Sequence, residues 1–408
     1  MTKLKYFLSI CIVFVICIFF FQSKTVLESK KTVVFWTVQL APFSNYINKV
    51  INEFEEQNPN IKIKWIDVPY SEAEKRVLAT LLSNNMPDLI NITADFNMTL
   101  ATKGALTQID DTSNFNKQLL NSITFNDKVW GVPFYATSAI TIYNKELAKK
   151  LNIENYPKTY DELFDLMSKT QTTKTIHLFM PTLTENDTTY KILNKYGYNA
   201  PQNINSINTI QFFLRLKNLY VNDKIPKESI TQTHREVIEK YSSGQIVYLQ
   251  AGANFLNIIR ENSQDIYNKT EVAPQFEGEL KGFDYSLMAL AVPIKAKNKE
   301  EAILFANYLT NEKNQLEFSK LTGVLPCNKR TLDNEYFKEI KQNDLYSKAR
   351  VIGAKQLLTP INYPQQTKKH KEIINLINKT TEMILLQNND IQEALNKLRV
   401  DYEILIKN

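Results

Sequence analysis

The stretch that follows position 31 alternates between strand and helix patterns. Residues 32–36 (TVVFW) are β-rich, and residues 43–54 place apolar side chains at helical spacing. Residues 61–65 alternate apolar and basic side chains as a strand does, a second helical pattern covers 71–82, and 89–92 (LINI) form another apolar run. This order of strands and helices is typical of a mostly parallel α/β sheet with helices packed on it.

The chain is longer than one hydrophobic core usually serves. It has 408 residues, and single cores stop growing at about 250–300 residues, so two lobes are expected. An apolar fraction of 43% and a charged fraction of 23% are those of a globular protein. The net charge of +6 is spread along the chain without a basic block, which argues against nucleic-acid binding.

The amino terminus has the pattern of a signal for export. Lys3 and Lys5 precede an apolar run over residues 6–21 that contains one polar residue, Ser9. The 16 residues of this run fall short of the about 20 that span a membrane comfortably, and no small-residue cleavage site follows. We expect export to the periplasm or the outer face of the cytoplasmic membrane. Residues 1–31 are then either a cleaved signal peptide or a retained anchor.

The cysteines and histidines predict neither a disulfide framework nor a metal site. Cys11 and Cys17 lie in the apolar run, so Cys327 is the one cysteine of the body. The three histidines are far apart, and the sequence has no Gly-x-Ser-x-Gly nucleophile elbow and no phosphate-binding glycine loop. We therefore expect neither an enzyme nor a cofactor.

Three separated groups of segments carry a family pattern in one order and spacing. They are VFWT at 34–37 with NPNIKI at 58–63 and PDL at 87–89; DKVWGVP at 127–133 with YNKEL at 143–147 and PKTYDEL at 157–163; and SGQ at 243–245 with the apolar strand at 286–293 and TGVLP at 322–326. With these segments the chain resembles the extracellular solute-binding proteins of ABC importers, above all the sugar-capturing, maltodextrin-binding branch.

The resemblance implies an α/β, two-lobed fold of the type II periplasmic-binding kind, with a hinge and a ligand cleft. Residues 32–142 and 286–328 would form the first lobe, and residues 145–283 and 330–408 the second. Such proteins close on a small molecule by hinge bending and deliver it to a membrane permease and its ATPase subunits. We expect a monomer that captures a mono- or oligosaccharide. The alternative is a membrane-anchored binder or sensor of a non-sugar solute such as a glycerol phosphodiester.

Candidate ligand contacts follow from the expected place of the cleft. In an open α/β sheet, ligands bind beyond the carboxyl ends of the strands, and sugars need aromatic platforms beside amide and carboxylate groups. From the first lobe this selects Trp36, Gln39, Asp95, Tyr135 and Thr137. Trp36 is either a stacking ring or a core residue. Asp95, which resembles the acidic position of maltodextrin binders, either binds hydroxyls or caps the helix that follows it.

The second lobe and the crossing segments supply the remaining candidates. These are Glu185, Gln250, Asn254, Phe255, Asp284, Tyr285 and Tyr363. Glu185 either binds hydroxyls or begins a helix, and Phe255 either stacks on the ligand or packs in the core. The side chains of Asp284, Tyr285 and Tyr363 either face the cleft or point away from it. Aromatic, amide and acidic candidates without clustered basic side chains favour a neutral sugar over a phosphodiester.

Overall fold

The computed structural model describes residues 30–81, 85–173, 175–198, 203–361, 369–387 and 390–407. The predicted export signal falls on residues up to 29, and Tyr363 falls between 361 and 369, so both predictions lie outside the described residues. Within the described ranges, no helix is long and apolar enough to cross a membrane.

Strands and helices alternate along the described chain. The strands are β1 (Lys31–Val38), β2 (Ile61–Val68), β3 (Leu89–Thr93), β4 (Thr124–Phe125), β5 (Lys128–Val129), β6 (Val132–Asn144), β7 (His177–Phe179), β8 (Ile246–Gly252), β9 (Thr270–Ala273), β10 (Tyr285–Ala291) and β11 (Leu325–Pro326). The helices are α1 (Ser44–Gln57), α2 (Tyr70–Leu81), α3 (Ala94–Thr102), α4 (Lys117–Leu120), α5 (Lys145–Lys150), α6 (Tyr160–Lys169), α7 (Thr188–Lys195), α8 (Ile207–Val221), α9 (His234–Ser242), α10 (Phe255–Asn262), α11 (Gln264–Asn268), α12 (Lys299–Leu309), α13 (Glu312–Thr322), α14 (Lys329–Leu332), α15 (Leu345–Leu357), α16 (His370–Leu386) and α17 (Ile391–Lys407).

The main sheet has the order β2-β1-β3-β10-β6-β8-β7, and β9 and β11 also pair with β6. Strand β1 runs parallel to β2 and β3, and β7 runs parallel to β8. Strand β10 is antiparallel to both β3 and β6. The alternation predicted for residues 32–92 is thus confirmed, and it gives three parallel strands whose carboxyl ends share one edge.

Strand β6 belongs to both halves of the molecule. Residues 132–138 pair with β10, whereas residues 139–144 pair with β8 and β9. Most buried apolar side chains separate at the same point, because those from residues 33–136 cluster with ones from 287–357, and those from residues 140–276 cluster with ones from 373–402. Ala349 of α15 instead packs with residues 140–272, so α15 contacts both cores. We call these parts the first and the second lobe; the residue boundaries predicted for them stay a prediction.

A helix distant in sequence completes the core of the first lobe. Phe305 of α12 packs edge-on against Phe35 of β1, with ring centroids 5.4 Å apart, and lies 4.9 Å from the ring of Phe54 on α1. All three rings are nearly inaccessible to solvent, and each contributes about 1.5–3 kcal/mol through burial. This packing explains why the first lobe needs a segment from beyond residue 285.

Candidate functional site

A cleft of about 1560 Å³ lies between the lobes. It opens beyond the carboxyl ends of β1, β2 and β3 and beyond those of β7 and β8, where open α/β sheets bind their ligands. The wall of the first lobe, here the first wall, includes Gln39, Leu40, Phe43, Tyr70, Glu74, Leu78, Asp95, Phe96, Tyr135, Thr137, Tyr285 and Met288. The wall of the second lobe, the second wall, includes Thr184, Asn186, Asp187, Tyr190, Lys191, Asn254, His370, Lys371, Glu372 and Asn378.

An aspartate of β2 fixes the loop that carries Gln39 into the cleft. Asp67 Oδ1 accepts hydrogen bonds from Thr37 Oγ1 at 2.6 Å and from the Leu40 amide at 2.9 Å, while Oδ2 accepts from the Ala41 amide at 2.9 Å. Gln39 itself has a left-handed backbone, with φ of 56°, which is uncommon for a residue other than glycine. These bonds hold the turn so that Gln39 stands exposed at the rim.

Helix α2 presents an unexpected stripe to the cleft. Tyr70, Glu74 and Leu78 are spaced by four residues, so they share one face of the helix. Tyr70 is 63% exposed and Leu78 is 41% exposed. Because the buried face of the helix is formed by Ala73 and Val77, Tyr70 and Leu78 are surface that the core does not use, with the carboxylate of Glu74 between them.

Asp95 lies in the first turn of α3, exposed at the cleft. The helix is capped by Thr93, whose side chain accepts a hydrogen bond from the Phe96 amide at 3.2 Å. The capping alternative for Asp95 is therefore wrong, since Thr93 already fills the role. Its contact with a ligand stays a prediction.

The floor of the first wall is aromatic. Tyr135 and Thr137 lie half-buried on β6, and the Tyr135 ring centroid is 5.6 Å from that of Phe318. Burial raises the pKa of the Tyr135 phenol, so it stays neutral. Tyr285, at the start of β10, donates its hydroxyl proton to the Gln118 carbonyl at 3.3 Å. These rings offer faces to a ligand, and the Tyr285 hydroxyl is already used within the protein.

Helix α7 carries a cation to the second wall. Lys191 Nζ lies 3.1 Å from Asp187 Oδ2, one turn earlier, and the Lys191 side chain is 29% exposed. Burial opposes its charge, but the carboxylates of Asp187, Asp284 and Asp95 outweigh burial and raise the pKa of Lys191. Lys191 therefore remains protonated, as a donor whose position Asp187 fixes.

Helix α16 brings an amide and an imidazole to the same wall. Asn378 Nδ2 donates to the carbonyls of Thr184 at 3.1 Å and Asn186 at 2.8 Å, which holds the loop after β7 in place. The His370 ring lies edge-on to Tyr190, with centroids 5.3 Å apart. Burial lowers the pKa of His370 despite nearby carboxylates, so the imidazole is neutral at pH 7.

The structure places six candidates on the cleft walls: Gln39, Asp95, Tyr135, Thr137, Asn254 and Tyr285. Five others are not among the described wall residues: Trp36, Glu185, Gln250, Phe255 and Asp284. Their surroundings show what holds them instead. Trp36 packs against the cluster of Val38, Val68 and Ala73, and Phe255 packs beside the second-lobe core with its ring 5.2 Å from that of His234.

The three polar members of that group bond within the protein. Glu185 Oε2 accepts from the backbone amide of His234, the first residue of α9, at 2.7 Å. The side chain thus serves the start of α9, while the Glu185 carbonyl oxygen accepts from the amide of Thr188, the first residue of α7, at 3.2 Å. Gln250 Oε1 accepts from the Tyr160 hydroxyl at 3.2 Å. Asp284 forms an ion pair with a lysine at the hinge. Ligand contact by these side chains stays a prediction.

Several wall residues have no counterpart among the sequence-based candidates: Tyr70, Glu74, Leu78, Asp187, Tyr190, Lys191, His370 and Asn378. The sequence carried a signal for Tyr70, Glu74 and Leu78, because they form a second stripe at four-residue spacing on α2, beside the stripe that the core buries. For the others the sequence carried no signal that separates them from ordinary helix surface. Among the described residues, no group of three or more His, Cys, Asp or Glu side chains could hold a metal ion.

Known proteins share this architecture. The structure is similar to that of a protein of Synechococcus sp. MITs9220 described as a periplasmic oligosaccharide-binding protein, with a TM-score of 0.81, 23% identity, and coverage of 91% of this chain and 98% of that one. A multiple sugar-binding protein of Streptococcus mutans is 24% identical over 334 residues, which are 74% of this chain and 76% of the relative. A protein of Brucella abortus described only as a binding protein is 22% identical over 333 residues, 76% of this chain and 78% of the relative.

The similarity extends to a family. The type II two-lobed fold expected from the sequence is confirmed by these neighbours. Residues 49–344 match the bacterial extracellular solute-binding proteins, a span that includes wall residues of both lobes. The chain therefore belongs to the family of bacterial extracellular solute-binding proteins.

Proposed function

We propose that this chain captures a mono- or oligosaccharide in its cleft and delivers it to an ABC permease and its ATPase subunits. Membership of a solute-binding family supports the transport role, and relatives named for sugar or oligosaccharide binding support the ligand class. The observation that carries the proposal is the pairing of exposed aromatic and apolar side chains on the first wall with hydrogen-bonding groups on the second.

This pairing matches the chemistry of a sugar ring. A pyranose has apolar C–H faces and a belt of hydroxyls that donate and accept, so it needs a flat apolar surface on one side and mixed polar groups around it. The exposed Tyr70 and Leu78 supply apolar surface on the first wall. Asp95 adds a carboxylate acceptor at the rim, and Lys191 and Asn378 supply polar groups from the second wall.

The finer points of the role are part of the same proposal. The chain acts as a monomeric binder and not as an enzyme, and its amino-terminal segment directs export, by cleavage or as an anchor at residues 6–21. A glycerol phosphodiester stays the alternative ligand, because Lys103 and Lys371 also line the cleft, whereas the relatives named for sugars favour a carbohydrate. Lys191 is already paired with Asp187, so a phosphate would have to compete with that carboxylate for the cation.

A thermal-unfolding screen of the full-length chain tests the function. A ligand that binds the folded state raises its stability by RT ln(1 + [L]/Kd), about 2.7 kcal/mol at a hundred times Kd. The panel contains mono-, di- and oligosaccharides, glycerol phosphodiesters and amino acids, and intrinsic fluorescence reports unfolding. We expect a saturable shift with one class of sugar. A shift with a phosphodiester or an amino acid alone would overturn the ligand class, and silence across the sugars would overturn the proposal.

A further inference from the structure

Five polar side chains with little exposure meet where the chain crosses between the lobes. They are Ser138, Lys195, Gln275, Asp284 and Gln356, which we call the hinge network. The first crossing is strand β6, in which Ser138 ends the part that pairs with β10. The next two crossings are the segment from β9 to β10, which carries Gln275 and Asp284, and helix α15, which carries Gln356. The network thus reaches every one of these three crossings.

An ion pair forms one end of the network. The Lys195 side chain is fully buried, and its Nζ lies 2.9 Å from Asp284 Oδ2, whose side chain is 18% exposed. The same ammonium donates to the Phe276 carbonyl at 3.0 Å and faces the Tyr160 ring, 5.5 Å from its centroid. A buried lysine needs such partners. Lys195 belongs to the second lobe, whereas Asp284 directly precedes the strand that enters the first, so the pair spans the hinge.

Two glutamines join the crossings to one another. Gln275 Nε2 donates to the Asp284 carbonyl at 2.7 Å and to Ser138 Oγ at 3.3 Å, and its Oε1 accepts from the Asp284 amide at 3.1 Å. Gln356 Nε2 donates to Ser138 Oγ at 2.8 Å and to the Ala139 carbonyl at 2.7 Å. Gln356 Oε1 accepts from the Gln275 amide at 2.8 Å. Both glutamines are 2% exposed, so water cannot easily replace these bonds.

Helix α7 connects this network to the cleft. Lys191 lines the second wall, and Lys195 lies one helical turn farther along the same helix. Gly278 packs directly against the backbone of Lys195. A Cβ added at Gly278 would lie only 2.4 Å from the Lys195 carbonyl oxygen. A displacement of α7 by something bound at Lys191 would therefore act on the Lys195–Asp284 pair.

The cleft is wide in this structure. Its volume of about 1560 Å³ exceeds the roughly 300–1,000 Å³ of ordinary small-molecule sites. Closing it requires the crossings to rotate against each other. Bonds of the network that join two crossings then lengthen or exchange partners, and a broken polar bond between groups with so little exposure is costly.

We propose that the hinge network holds the lobes at the open angle, and that Lys195 is a positioning residue whose pair with Asp284 sets how readily the cleft closes. The pair touches no ligand. It acts by setting the fraction of molecules in the closed form, and the apparent affinity scales with that fraction. A weaker pair increases the closed fraction before any ligand is present.

The ligand-free distance between the lobes tests this inference without knowledge of the ligand. Spin labels replace the exposed Leu78 of the first wall and the exposed Lys371 of the second wall in the full-length chain, in a background without the native cysteines. Double electron–electron resonance gives the distance distribution, and closing the cleft shortens the distance between labels on its two walls. Lys195→Met should shift the distribution toward shorter distances and broaden it. Lys240→Met is the matched control, because it removes a lysine of the second lobe whose ion pair, 3.8 Å from Glu228, lies away from the hinge.

Two further variants keep the test decisive if Lys195→Met does not fold. Lys195→Met combined with Asp284→Asn removes both charges and leaves no buried unpaired carboxylate, and Gln356→Leu breaks the link to Ser138 while the ion pair remains. A shift toward shorter distances in either variant, with Lys240→Met unchanged, supports the inference, and a shift toward longer distances would contradict it. Distributions identical to that of the parent chain, even with a lower melting temperature, would show that the network is only structural and would overturn it.

Discussion

The two walls of the cleft are built from different material. The first wall carries most of the apolar and aromatic side chains of the cleft beside short polar ones, and it comes mostly from turns and helices that follow strands β1, β2 and β3. The second wall is largely charged or amide-bearing, and it comes mainly from the loop before α7, from α7 itself and from the start of α16. Apolar area supplies affinity with little directional demand, whereas fixed polar groups discriminate between ligands. We therefore expect the first wall to supply most of the affinity and the second wall to discriminate between ligands.

Removing the exposed ring of the first wall should have the largest effect. Tyr70→Ala deletes an aromatic surface that a sugar face would cover, and burying a side chain of this size is worth about 1.5–3 kcal/mol. At 1.4 kcal/mol for each factor of ten, the affinity should fall by about 10–100-fold. Isothermal calorimetry with the sugar that gives the largest thermal shift measures the change.

The ring-retaining variant Tyr70→Phe is the control for that experiment. It keeps the stacking surface and loses only the hydroxyl, so its affinity should stay close to that of the parent chain. Equal affinities for Tyr70→Ala and the parent would remove α2 from the site. A large loss in Tyr70→Phe would instead mean that the hydroxyl, not the ring face, binds the ligand.

A smaller effect is expected from the carboxylate at the rim of the first wall. Asp95→Asn keeps the shape of the side chain and weakens its hydrogen bonds to hydroxyls, which should lower the affinity by about 1 kcal/mol. Stability should change little, because an acidic residue in a first helical turn contributes about 0.3–1 kcal/mol.

Glu312→Gln is the matched control for Asp95→Asn. Glu312 also lies in the first turn of a helix, α13, but away from the cleft. Both variants should lose a similar amount of stability, and only Asp95→Asn should lose affinity. Equal affinities in the two variants would limit Asp95 to its role in the helix.

The fold could be predicted because its determinants are local. Apolar periodicity gave the alternation that forms the parallel half of the first lobe, and the family pattern extended it to two lobes. Wall residues that directly follow a strand, such as Gln39 and Asn254, could be predicted by the same logic, because the carboxyl ends of parallel strands point to the cleft.

The rest of the site depends on tertiary packing. Lys191 and His370 are separated by almost half the chain, and only the docking of α16 on the second lobe brings them to one wall. Asp284 illustrates the opposite case. It stands at the end of a crossing segment as expected, but the buried Lys195 holds its carboxylate, and the sequence gives no sign that a lysine of α7 is inaccessible to water.

The pH dependence of the second wall should be the smallest effect, since it rests on one imidazole. Burial lowers the pKa of His370 below its ordinary value of 6.5, although the carboxylates of Asp95 and Asp187 act in the opposite direction. Between the two pKa values the unfolded chain binds more protons than the folded one, so the free energy of unfolding falls as the pH drops below about 6.5. His370→Gln should reduce that loss in urea titrations at pH 7 and pH 5.

The pH dependence of ligand affinity distinguishes His370, which lines the cleft, from His177, which lies outside the described cleft walls. Burial also lowers the pKa of His177, which lies on β7 and outside the described cleft walls, so His177→Gln should reduce the acid loss of stability in the same way. Protonated His370, however, would draw Asp95 and Asp187 away from ligand hydroxyls and weaken binding at pH 5. We therefore expect the ratio of dissociation constants at pH 5 and pH 7 to approach one in His370→Gln and to stay above one in His177→Gln. A ratio of one in the parent chain would mean that the charges of the second wall do not reach the ligand.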